Sequence, residues 1–217
     1  MQEEIAQKIL QTGTTTIGLV CKEGILLGAD KRVTLGGRIV ASKKFEKVVM
    51  VNNETAVATA GSVSDVQLLV KILKAQLKLM EMRRDRKATV KETVNLLAGL
   101  VYNNIRRFSM IPGVTGFLLG GTDKQGCFLY DIGMDGSITQ YDDYVTDGSG
   151  MMFATGVLEA NFKPDLSAKE ASSLVIKALN AAMQRDTATG DGLDIILVTK
   201  KGAQKFLTRE ITSQIKE

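Results

Sequence analysis

The order of two hydrophobic periods along the chain restricts its fold more than any other feature. Runs of β-branched and apolar residues predict paired strands at 15–21 with 25–29, and at 47–51 with 55–60. Apolar residues then recur every three or four positions, which is the period of a helix with one buried face. The same succession returns in the second half and is followed by a last pair of strands. Such runs predict an α+β fold in which helices cover antiparallel sheets.

Four helices are predicted from the helical period, at 64–80, 90–105, 151–160 and 168–185. Two of them begin with the sequence of a capping box, in which two side chains satisfy backbone N–H groups at the helix start. The first box pairs Thr89 with Glu92, and the second pairs Ser167 with Glu170. These boxes predict where the second helix of each pair begins.

Length and composition predict a single domain. The chain has 217 residues, 44% of them apolar, and only two prolines. That is enough apolar material for one sizeable core, and no low-complexity spacer divides the chain. The remaining strands of this domain are predicted at 114–119, 127–132, 137–141, 194–199 and 204–207.

The absence of histidine excludes several kinds of hydrolytic site. Without an imidazole the chain cannot form a Ser-His-Asp triad, a Cys-His pair or an HExxH metal site. Cys21 and Cys127 are far apart in the sequence and do not form a CxxC pair. Neither a Walker sequence nor a dinucleotide-binding sequence is present. We therefore expect no metal and no cofactor.

Charge and hydropathy predict a cytoplasmic protein that binds neither nucleic acid nor membrane. The formal net charge is +4, but basic and acidic residues are interspersed along most of the chain. The densest basic run, 78–87, follows a helical pattern without aromatic residues for base stacking, so a solvated helix end is favoured over a nucleic-acid-binding domain. No segment approaches the roughly 20 apolar residues of a membrane helix. Residues 1–13 lack the apolar run of a secretory signal.

A hydrolase that lacks histidine still needs a base for its nucleophile. The α-amino group of the chain, whose pKa is about 8, can serve when the first residue is Ser, Thr or Cys. Met1 is none of these, so a cut would have to expose the nucleophile. Gly13 and Thr14, which open a run of threonines, are the natural place for that cut. Taken alone, such a run also fits the start of an ordinary strand.

Several segments after residue 13 resemble, in the same order, segments of the proteasome β-subunit family in its archaeal form. The likeness covers nearly the whole chain after that residue. The segments are TTTIG at 14–18, GADKRVT at 28–34, ASKKFEKV at 41–48, TAGSVSD at 59–65, GSG at 148–150, GVLE at 156–159 and QRDTATG at 184–190. Each is short, but their joint order is specific to that family.

The resemblance implies a fold and a processing step. The implied fold is the four-layer αββα sandwich of the N-terminal nucleophile hydrolases, with two antiparallel sheets flanked by helix pairs. Residues 1–13 would be a propeptide and 14–217 the peptidase domain, separated by autocatalytic cleavage between Gly13 and Thr14. Because a blocked α-amine cannot act as a base, the uncut chain is expected to be an inactive zymogen.

The resemblance also implies a catalytic set. Thr14 would be the nucleophile, and its freed amine would be the base. The charge of Lys47 would make Thr14 easier to deprotonate, and Asp30 would keep Lys47 charged and oriented. The N–H group of Gly61 would donate to the developing oxyanion. The residues implied to hold the amine and its water are Ser149, Asp186 and Thr189.

Two alternatives accompany the assignment of the lysine. Lys44 is a rival, because the segment between Asp30 and Lys47 is one residue longer than the family pattern. Lys47 is preferred since Val48 follows it and leads directly into an apolar strand. Without the resemblance, Asp30 and Lys47 would be interpreted as an ordinary charge pair at strand ends.

The resemblance finally implies a substrate and partners. A substrate pocket is expected at Val33, Thr59 and Val63, whose modest size and neutrality favour apolar side chains. The implied function is a threonine endopeptidase of the proteasome core particle that hydrolyses unfolded polypeptides. Its expected partners are α-subunits, neighbouring β-subunits in a heptameric ring and, indirectly, a regulatory ATPase. The alternative is a structural, unprocessed β-type subunit that depends on a companion β-subunit for activity.

Overall fold

The computed structural model describes residues 13–211, and its elements follow the predicted order. The helices are α1 (Val63–Arg84), α2 (Val90–Arg106), α3 (Met151–Asn161) and α4 (Ala168–Arg185). The strands before α1 are β1 (Thr16–Cys21), β2 (Gly24–Asp30), β3 (Val33–Leu35), β4 (Ile39–Ser42), β5 (Val48–Met50) and β6 (Thr55–Gly61). The later strands are β7 (Thr115–Asp123), β8 (Gly126–Ile132), β9 (Ile138–Tyr141), β10 (Tyr144–Asp147), β11 (Gly192–Thr199) and β12 (Gly202–Glu210).

Parts of two expectations fall outside this range. The propeptide expected at 1–13 lies almost wholly outside the described residues. The end of the domain expected at 14–217 lies outside them as well, from residue 212 onward. Both expectations stay predictions.

Two antiparallel five-stranded sheets form the body of the fold. Their strand orders are β10-β1-β2-β11-β12 and β5-β6-β7-β8-β9, and β3 pairs with β4 in a separate two-stranded sheet. Among the described residues of the five-stranded sheets, five of the neighbouring pairs are hairpins, whereas β6 pairs with β7 across the two helices, and β1 with β10 and β2 with β11 join distant parts of the chain. The pairings of β1 with β10 and of β2 with β11 bring the segments 148–150 and 186–191, which adjoin β10 and β11, to the start of β1.

The two sheets stack face to face, as the predicted sandwich requires. Ile25 and Leu27 of β2 point into the layer between the sheets and pack there with Leu118 of β7. Leu26 points the other way, toward Leu179 of α4. Successive residues of a strand face opposite sides of its sheet. Because both sides are covered, β2 is buried along its whole length.

The helices α1 and α2 cover the second sheet in the same manner. Phe117 and Leu119 of β7 face them and pack with Leu73 of α1 and Leu97 of α2. All four side chains are fully buried, and each such burial contributes about 1.5–3 kcal/mol. The layers are therefore helices, sheet, sheet and helices, and the predicted αββα architecture is confirmed.

Both predicted capping boxes are confirmed. The hydroxyl of Thr89 accepts the backbone N–H of Glu92, and the Glu92 carboxylate accepts the N–H of Thr89. Ser167 and Glu170 make the same reciprocal bonds at the start of α4. A cap of this kind stabilises a helix by about 1 kcal/mol, so the starts of α2 and α4 are encoded locally.

The hydrophobic pattern does not predict three short strands, namely β3, β4 and β10. Leu35 of β3 and Ile39 of β4 are exposed, so no buried period marks this hairpin. Gly36 and Gly37 form its turn with φ of 57° and 68°, a region that favours glycine. β10 has four residues at the edge of its sheet, which is too short to display a period.

Membrane and metal-binding features can be assessed for residues 13–211. No helix in this range is long and apolar enough to cross a membrane. Nor does any group of three or more Cys, Asp or Glu side chains within the range have the arrangement of a metal site. Cys21 and Cys127 are free thiols.

Candidate active site

Thr14 lies two residues before the first residue of β1 and is 4% exposed. Its Oγ1 donates a hydrogen bond to the carbonyl oxygen of Gly13 at 2.7 Å. Its backbone N–H donates to Oγ of Ser149 at 3.2 Å. The Thr14 hydroxyl therefore lies beside the carbonyl of the peptide bond that the sequence predicts to be cut.

Residue 13 has to be glycine because the chain passes against the segment before β11 at this point. A Cβ on Gly13 would lie 1.7 Å from Cβ of Ala188 and 3.0 Å from Oγ of Ser149. No side chain tolerates the first of these separations without a shift of the backbone. The chain can therefore enter the site beside Ser149 only without a side chain at position 13.

Asp30 and Lys47 form a buried ion pair next to Gly13. β2 ends at Asp30 and β5 begins directly after Lys47, so the ends of two facing sheets bring these residues together. Lys47 Nζ lies 2.8 Å from Oδ1 of Asp30, and the two side chains are 4% and 0% exposed. Lys47 Nζ also donates to the carbonyl oxygen of Gly13 at 3.4 Å. An ordinary strand-end pair would be solvated, whereas this ammonium group bridges a buried carboxylate and the Gly13 carbonyl.

Three backbone N–H groups hold the Asp30 carboxylate in place. Oδ1 accepts from Thr15 at 3.0 Å, and Oδ2 accepts from Arg32 at 2.9 Å and from Gly190 at 3.0 Å. These bonds tie the carboxylate to β1, to its own strand end and to the segment before β11. Such preorganisation keeps Lys47 pointed at Gly13.

Burial shifts the titration of both members of the pair. It raises the pKa of Asp30, and the charge and hydrogen bond of Lys47 oppose that rise. Burial likewise lowers the pKa of Lys47, against the opposing charge and hydrogen bond of Asp30. Loss of water disfavours the charged form of each group. A buried lysine with a lowered pKa is the kind of perturbed group found at catalytic sites.

Ser149, Asp186 and Thr189 form a hydrogen-bonded chain on the other side of Thr14. Ser149 Oγ donates to Oδ2 of Asp186 at 2.6 Å, and Thr189 Oγ1 donates to the same oxygen at 2.5 Å. Because the Thr189 proton is used there, the Thr15 hydroxyl donates to Thr189 at 2.7 Å. Ser149 Oγ keeps a lone pair that accepts the N–H of Thr14. The three hydrogen-bonded side chains therefore orient the nitrogen that the sequence predicts to become the base.

Gly61 ends β6 with φ of +115°, a backbone conformation that L side chains rarely adopt. A Cβ on Gly61 would lie 2.2 Å from the carbonyl oxygen of Val114. Glycine is therefore required at this strand end for two independent reasons, conformation and space. Gly61 borders the same pocket as Thr14.

The pocket beside Thr14 contains every residue that the sequence predicts for substrate binding. Val33, Thr59 and Val63 line it together with Thr14 and Gly61. Its further lining residues are Gly13, Arg32, Thr34, Phe45, Lys47 and Val66. Sequence reasoning missed Phe45 and Val66, although Val66 lies one helical turn after Val63 and shares its face of α1.

The structure separates Lys44, the rival for the lysine role, from this group. The Lys44 side chain is 75% exposed, and its Nζ lies 3.0 Å from Oε2 of Glu210. It does not line the pocket. Of the two lysines, only Lys47 is placed beside Asp30 and Gly13.

Arg32 and Asp191 form an ion pair, with side chains 25% and 8% exposed, that sequence reasoning did not assign to the site. Nε of Arg32 lies 2.7 Å from Oδ2 of Asp191, and Nη1 donates to the carbonyl oxygen of Thr187 at 2.9 Å. The Arg32 guanidinium thereby joins the end of β2 to the segment that carries Asp186. No local signal marks the pair, because 159 residues separate its members.

Replacement of Arg32 tests whether its bonds to Asp191 and Thr187 position the site. Arg32→Ala is expected to lower kcat by about 10- to 100-fold, because small displacements of reacting groups cost that much. Arg32→Lys should recover only part of the loss, since an ammonium group cannot reproduce the planar guanidinium's two bonds, to Asp191 and to Thr187. The measurement is kcat and KM for a peptide substrate, with exposed Arg209→Ala as control. Equal kcat values for Arg32→Ala and the control would show that Arg32 does not position the site.

Asp131 of β8 and Asp147 of β10 are carboxylates that have no ionic partner among the residues that the structure describes. Asp147 Oδ1 accepts the N–H of Gly148 at 2.7 Å, one residue before Ser149. Burial, reinforced by repulsion from Asp147 and Asp135, raises the pKa of Asp131 to about 6. Burial also raises the pKa of Asp147. None of the ion pairs within residues 13–211 involves Asp131 or Asp147.

Asp131→Asn is therefore expected to stabilise the chain at neutral pH. The folded state binds a proton on Asp131 more tightly than the unfolded state, so the wild type loses stability as pH rises from the ordinary value of 3.8 to about 6. The variant should exceed the wild type in urea midpoint at pH 8, and this advantage should shrink toward pH 4. Exposed Asp142→Asn is the matched control. Parallel pH profiles for the wild type and Asp131→Asn would contradict the assignment.

The architecture is that of the N-terminal nucleophile hydrolases, with a threonine at the start of β1 between two stacked sheets. The model of the family described as "Proteasome subunit" matches residues 10–198. The chain belongs to this family.

Several archaeal proteins are similar to the chain over nearly their whole length. It is 37% identical to "Proteasome subunit beta" of Archaeoglobus profundus over 97% of this chain and 95% of that protein. It is 39% identical to the protein of the same name from Ferroglobus placidus, over 92% of each chain. Identity to "Proteasome subunit beta 2" of Pyrococcus furiosus is 38%, over 94% of this chain and 96% of that protein. The chain is accordingly a β-type member of a family of threonine peptidases.

Proposed function

We propose that this chain is a threonine endopeptidase of the proteasome core particle, with Thr14 as its nucleophile after a cut between Gly13 and Thr14. The observation that carries the proposal is the position of the Thr14 hydroxyl, 2.7 Å from the Gly13 carbonyl oxygen. Lys47 Nζ donates to the same oxygen at 3.4 Å and is paired with Asp30. A hydroxyl and a cation thus converge on one peptide carbonyl.

The cut would be made by the residue that it exposes. Thr14 Oγ attacks the carbonyl carbon of Gly13, and the bond from that carbon to the Thr14 nitrogen breaks, which leaves Gly13 as an ester on Oγ. The nitrogen takes the hydroxyl proton and becomes a free amine. Lys47 stabilises the negative charge that develops on the Gly13 oxygen. Water then hydrolyses the ester, which releases the preceding segment and restores the Thr14 hydroxyl.

The freed amine would then act as the base in peptide hydrolysis. Its pKa of about 8 suits proton transfer at neutral pH. Ser149, held by Asp186 and Thr189, supports the proposal because it already binds the Thr14 nitrogen. Lys47, held by Asp30, lowers the cost of deprotonating Thr14. A donor to the oxyanion, for which we propose the N–H of Gly61, is typically worth about 3 kcal/mol.

The proposed substrates are unfolded polypeptides that have an apolar residue before the cut, and the lining of the pocket supports this proposal. Val33, Val63, Val66 and Phe45 supply apolar walls. The two cations at its edge, Arg32 and Lys47, are already paired with Asp191 and Asp30. A charged substrate side chain would therefore gain little in exchange for its hydration.

The proposed setting is a cytoplasmic assembly. Membership of the family implies that the chain works in a proteasome core with other subunits. We propose α-subunits and neighbouring β-subunits of a heptameric ring as the direct partners, and a regulatory ATPase as an indirect one. Residues 1–13 would keep the enzyme inactive until assembly, since the peptide nitrogen of an uncut Thr14 cannot serve as a base.

Hydrolysis of short peptides by the assembled particle tests this function. The chain is mixed with an α-subunit, the particle is isolated, and fluorogenic peptides with Leu, Lys or Glu before the reporter group are compared. Hydrolysis of the Leu peptide in preference to the charged ones is expected. An assembled particle that cleaves none of them would favour the alternative, a structural subunit that relies on a companion β-subunit.

A further inference from the structure

Thr15 touches both of the hydrogen-bonded groups that flank Thr14. Its backbone N–H donates to Oδ1 of Asp30 at 3.0 Å. Its hydroxyl lies 2.7 Å from Oγ1 of Thr189. The residue directly after the proposed nucleophile therefore connects the carboxylate that holds the lysine with the side chains that hold the nitrogen.

The Thr15 side chain lies on a side of the first sheet where packing alone would favour an apolar residue. Successive residues of an extended chain alternate between two faces, and Ile17 and Leu19, on the same side, pack in the cluster that includes α3 and α4. Thr15 is itself 0% exposed. Valine would fill this position without a polar atom, whereas a buried hydroxyl costs free energy unless it is hydrogen-bonded. Packing therefore does not explain the hydroxyl.

The hydrogen bonds make the Thr15 hydroxyl a donor. Thr189 Oγ1 gives its proton to Oδ2 of Asp186 at 2.5 Å, so it accepts from Thr15. The same carboxylate oxygen accepts from Ser149 Oγ at 2.6 Å, and Ser149 Oγ accepts the N–H of Thr14. A hydroxyl that accepts a hydrogen bond becomes a stronger donor. The bond from Thr15 therefore strengthens the bonds of the polar triplet, the name used below for Thr189, Asp186 and Ser149.

Thr15 is also the fixed end of this set of bonds. Asp186 is half-buried, and the N–H of Ala188 donates to its Oδ1 at 3.2 Å. Thr15 and Thr189 are fully buried, and Thr15 directly follows Thr14 in the chain. The bond between the two hydroxyls thus ties the polar triplet to the same stretch of backbone that carries the reacting nitrogen.

The start of α3 leaves just enough room for this hydroxyl. A Cβ on Gly150 would lie 2.1 Å from Oγ1 of Thr15 and 3.1 Å from Oγ1 of Thr189. Gly150 has φ of −89° and ψ of 4°, a conformation that other residues also adopt. Space rather than conformation therefore requires glycine at this position, and the two hydroxyls are what occupy the space.

We propose that the Thr15 hydroxyl is a positioning group that acts through the polar triplet to orient the Thr14 nitrogen. The proposal rests on the proposed function, in which that nitrogen becomes the base. Thr15 does not line the pocket beside Thr14. Loss of its hydroxyl should therefore slow the reaction without weakening the binding of substrate.

Replacement of Thr15 by valine tests the proposal in particles assembled with α-subunits. Thr15→Val is expected to lower kcat by about 10-fold, because small displacements of reacting groups slow a reaction, and to leave KM unchanged. Thr15→Ser keeps the hydroxyl and should restore most of the rate. The value of kcat is expressed per cut chain, with the cut fraction taken from intact mass.

The matched control is a buried threonine at the other end of the molecule. Thr122 of β7 is 5% exposed, and its hydroxyl accepts a hydrogen bond from Sγ of Cys127 at 3.5 Å. Thr122→Val also removes a buried hydroxyl from a strand and should leave kcat and KM as in the wild type.

A double variant separates an effect through Thr189 from an independent effect on the fold. If Thr15 acts through Thr189, Thr15→Val should cost less than about 2-fold in kcat when Thr189→Ala is already present. Independent effects would multiply instead. Thermal melting of the single and double variants checks that all of them remain folded.

Four results would overturn the proposal. Thr15→Val could show the wild-type kcat, or Thr15→Ser could lose as much kcat as Thr15→Val. The losses of Thr15→Val and Thr189→Ala could multiply. Finally, Thr15→Val alone could fail to assemble, which would show that the hydroxyl serves the fold. A wild-type particle that hydrolyses no peptide would contradict the proposed function instead, so the two failures are distinguishable.

Discussion

A Thr14→Ala chain is expected to remain full length in the assembled particle and to lose at least about 10³-fold in peptidase activity. The substitution removes the Oγ1 that lies 2.7 Å from the Gly13 carbonyl oxygen. Neither the cut before Thr14 nor the attack on a substrate can then begin. Intact mass of the chain and hydrolysis of a fluorogenic peptide measure the two effects on one sample.

Controls for this prediction separate the hydroxyl from the fold. Thr14→Ser keeps a hydroxyl and should still be cut and active. Thr139→Ala removes an exposed threonine of β9 and should behave as the wild type. If a Thr14→Ala particle were still cut after Gly13, another group would have to be the nucleophile.

Lys47→Met is expected to lower the free energy of unfolding by about 3–5 kcal/mol and to abolish measurable activity. Methionine fills most of the lysine volume but leaves the Asp30 carboxylate buried without its cation. The pKa of Asp30, which burial already raises, should rise further once that charge is gone. The loss of stability should therefore be largest at neutral pH and should diminish as pH falls and Asp30 takes up a proton.

The rival lysine supplies the matched control for this prediction. Lys44→Met removes an ammonium group that is 75% exposed beside Glu210, and such exposed pairs contribute about 0–1 kcal/mol. Urea denaturation at pH 5 and pH 8, with peptidase assays of the assembled particles, compares the two variants. Loss of activity in Lys44→Met with retention in Lys47→Met would reverse the assignment of the lysine.

The body of the fold could be predicted from the sequence because its signals are local. Apolar and β-branched runs such as 55–60 and helical stripes such as 90–105 each indicate the type of element within one short segment. The capping boxes that begin at Thr89 and Ser167 also locate two helix starts, and each box depends only on two residues three positions apart. The β3–β4 hairpin has neither kind of signal, since Leu35 and Ile39 face outward.

The buried electrostatic network could be predicted only in part. Asp30 and Lys47 stand in segments that resemble the family, but nothing in either segment indicates burial or a distance of 2.8 Å. Arg32 with Asp191 and Lys31 with Asp194 depend on the pairing of β2 with β11. Contacts between residues so distant in sequence are a property of the tertiary structure.

The two acidic residues near Gly190, Asp191 and Asp194, differ in their structural roles. Turn formation is the sequence-based explanation for Asp191 and Asp194. Asp191 does adopt a positive φ of 64°, as a turn residue can. Asp194 instead lies within β11 and forms a buried ion pair with Lys31 at 2.7 Å. Each carboxylate serves to anchor the end of β2 beside Thr14.

The function proposed here depends on one residue that supplies both the nucleophile and the base. The most direct test is the intact mass of this chain taken from a particle assembled with α-subunits. The account predicts a mass reduced by residues 1–13, so that the chain begins at Thr14. A full-length chain in a particle that nevertheless hydrolyses peptides would contradict it.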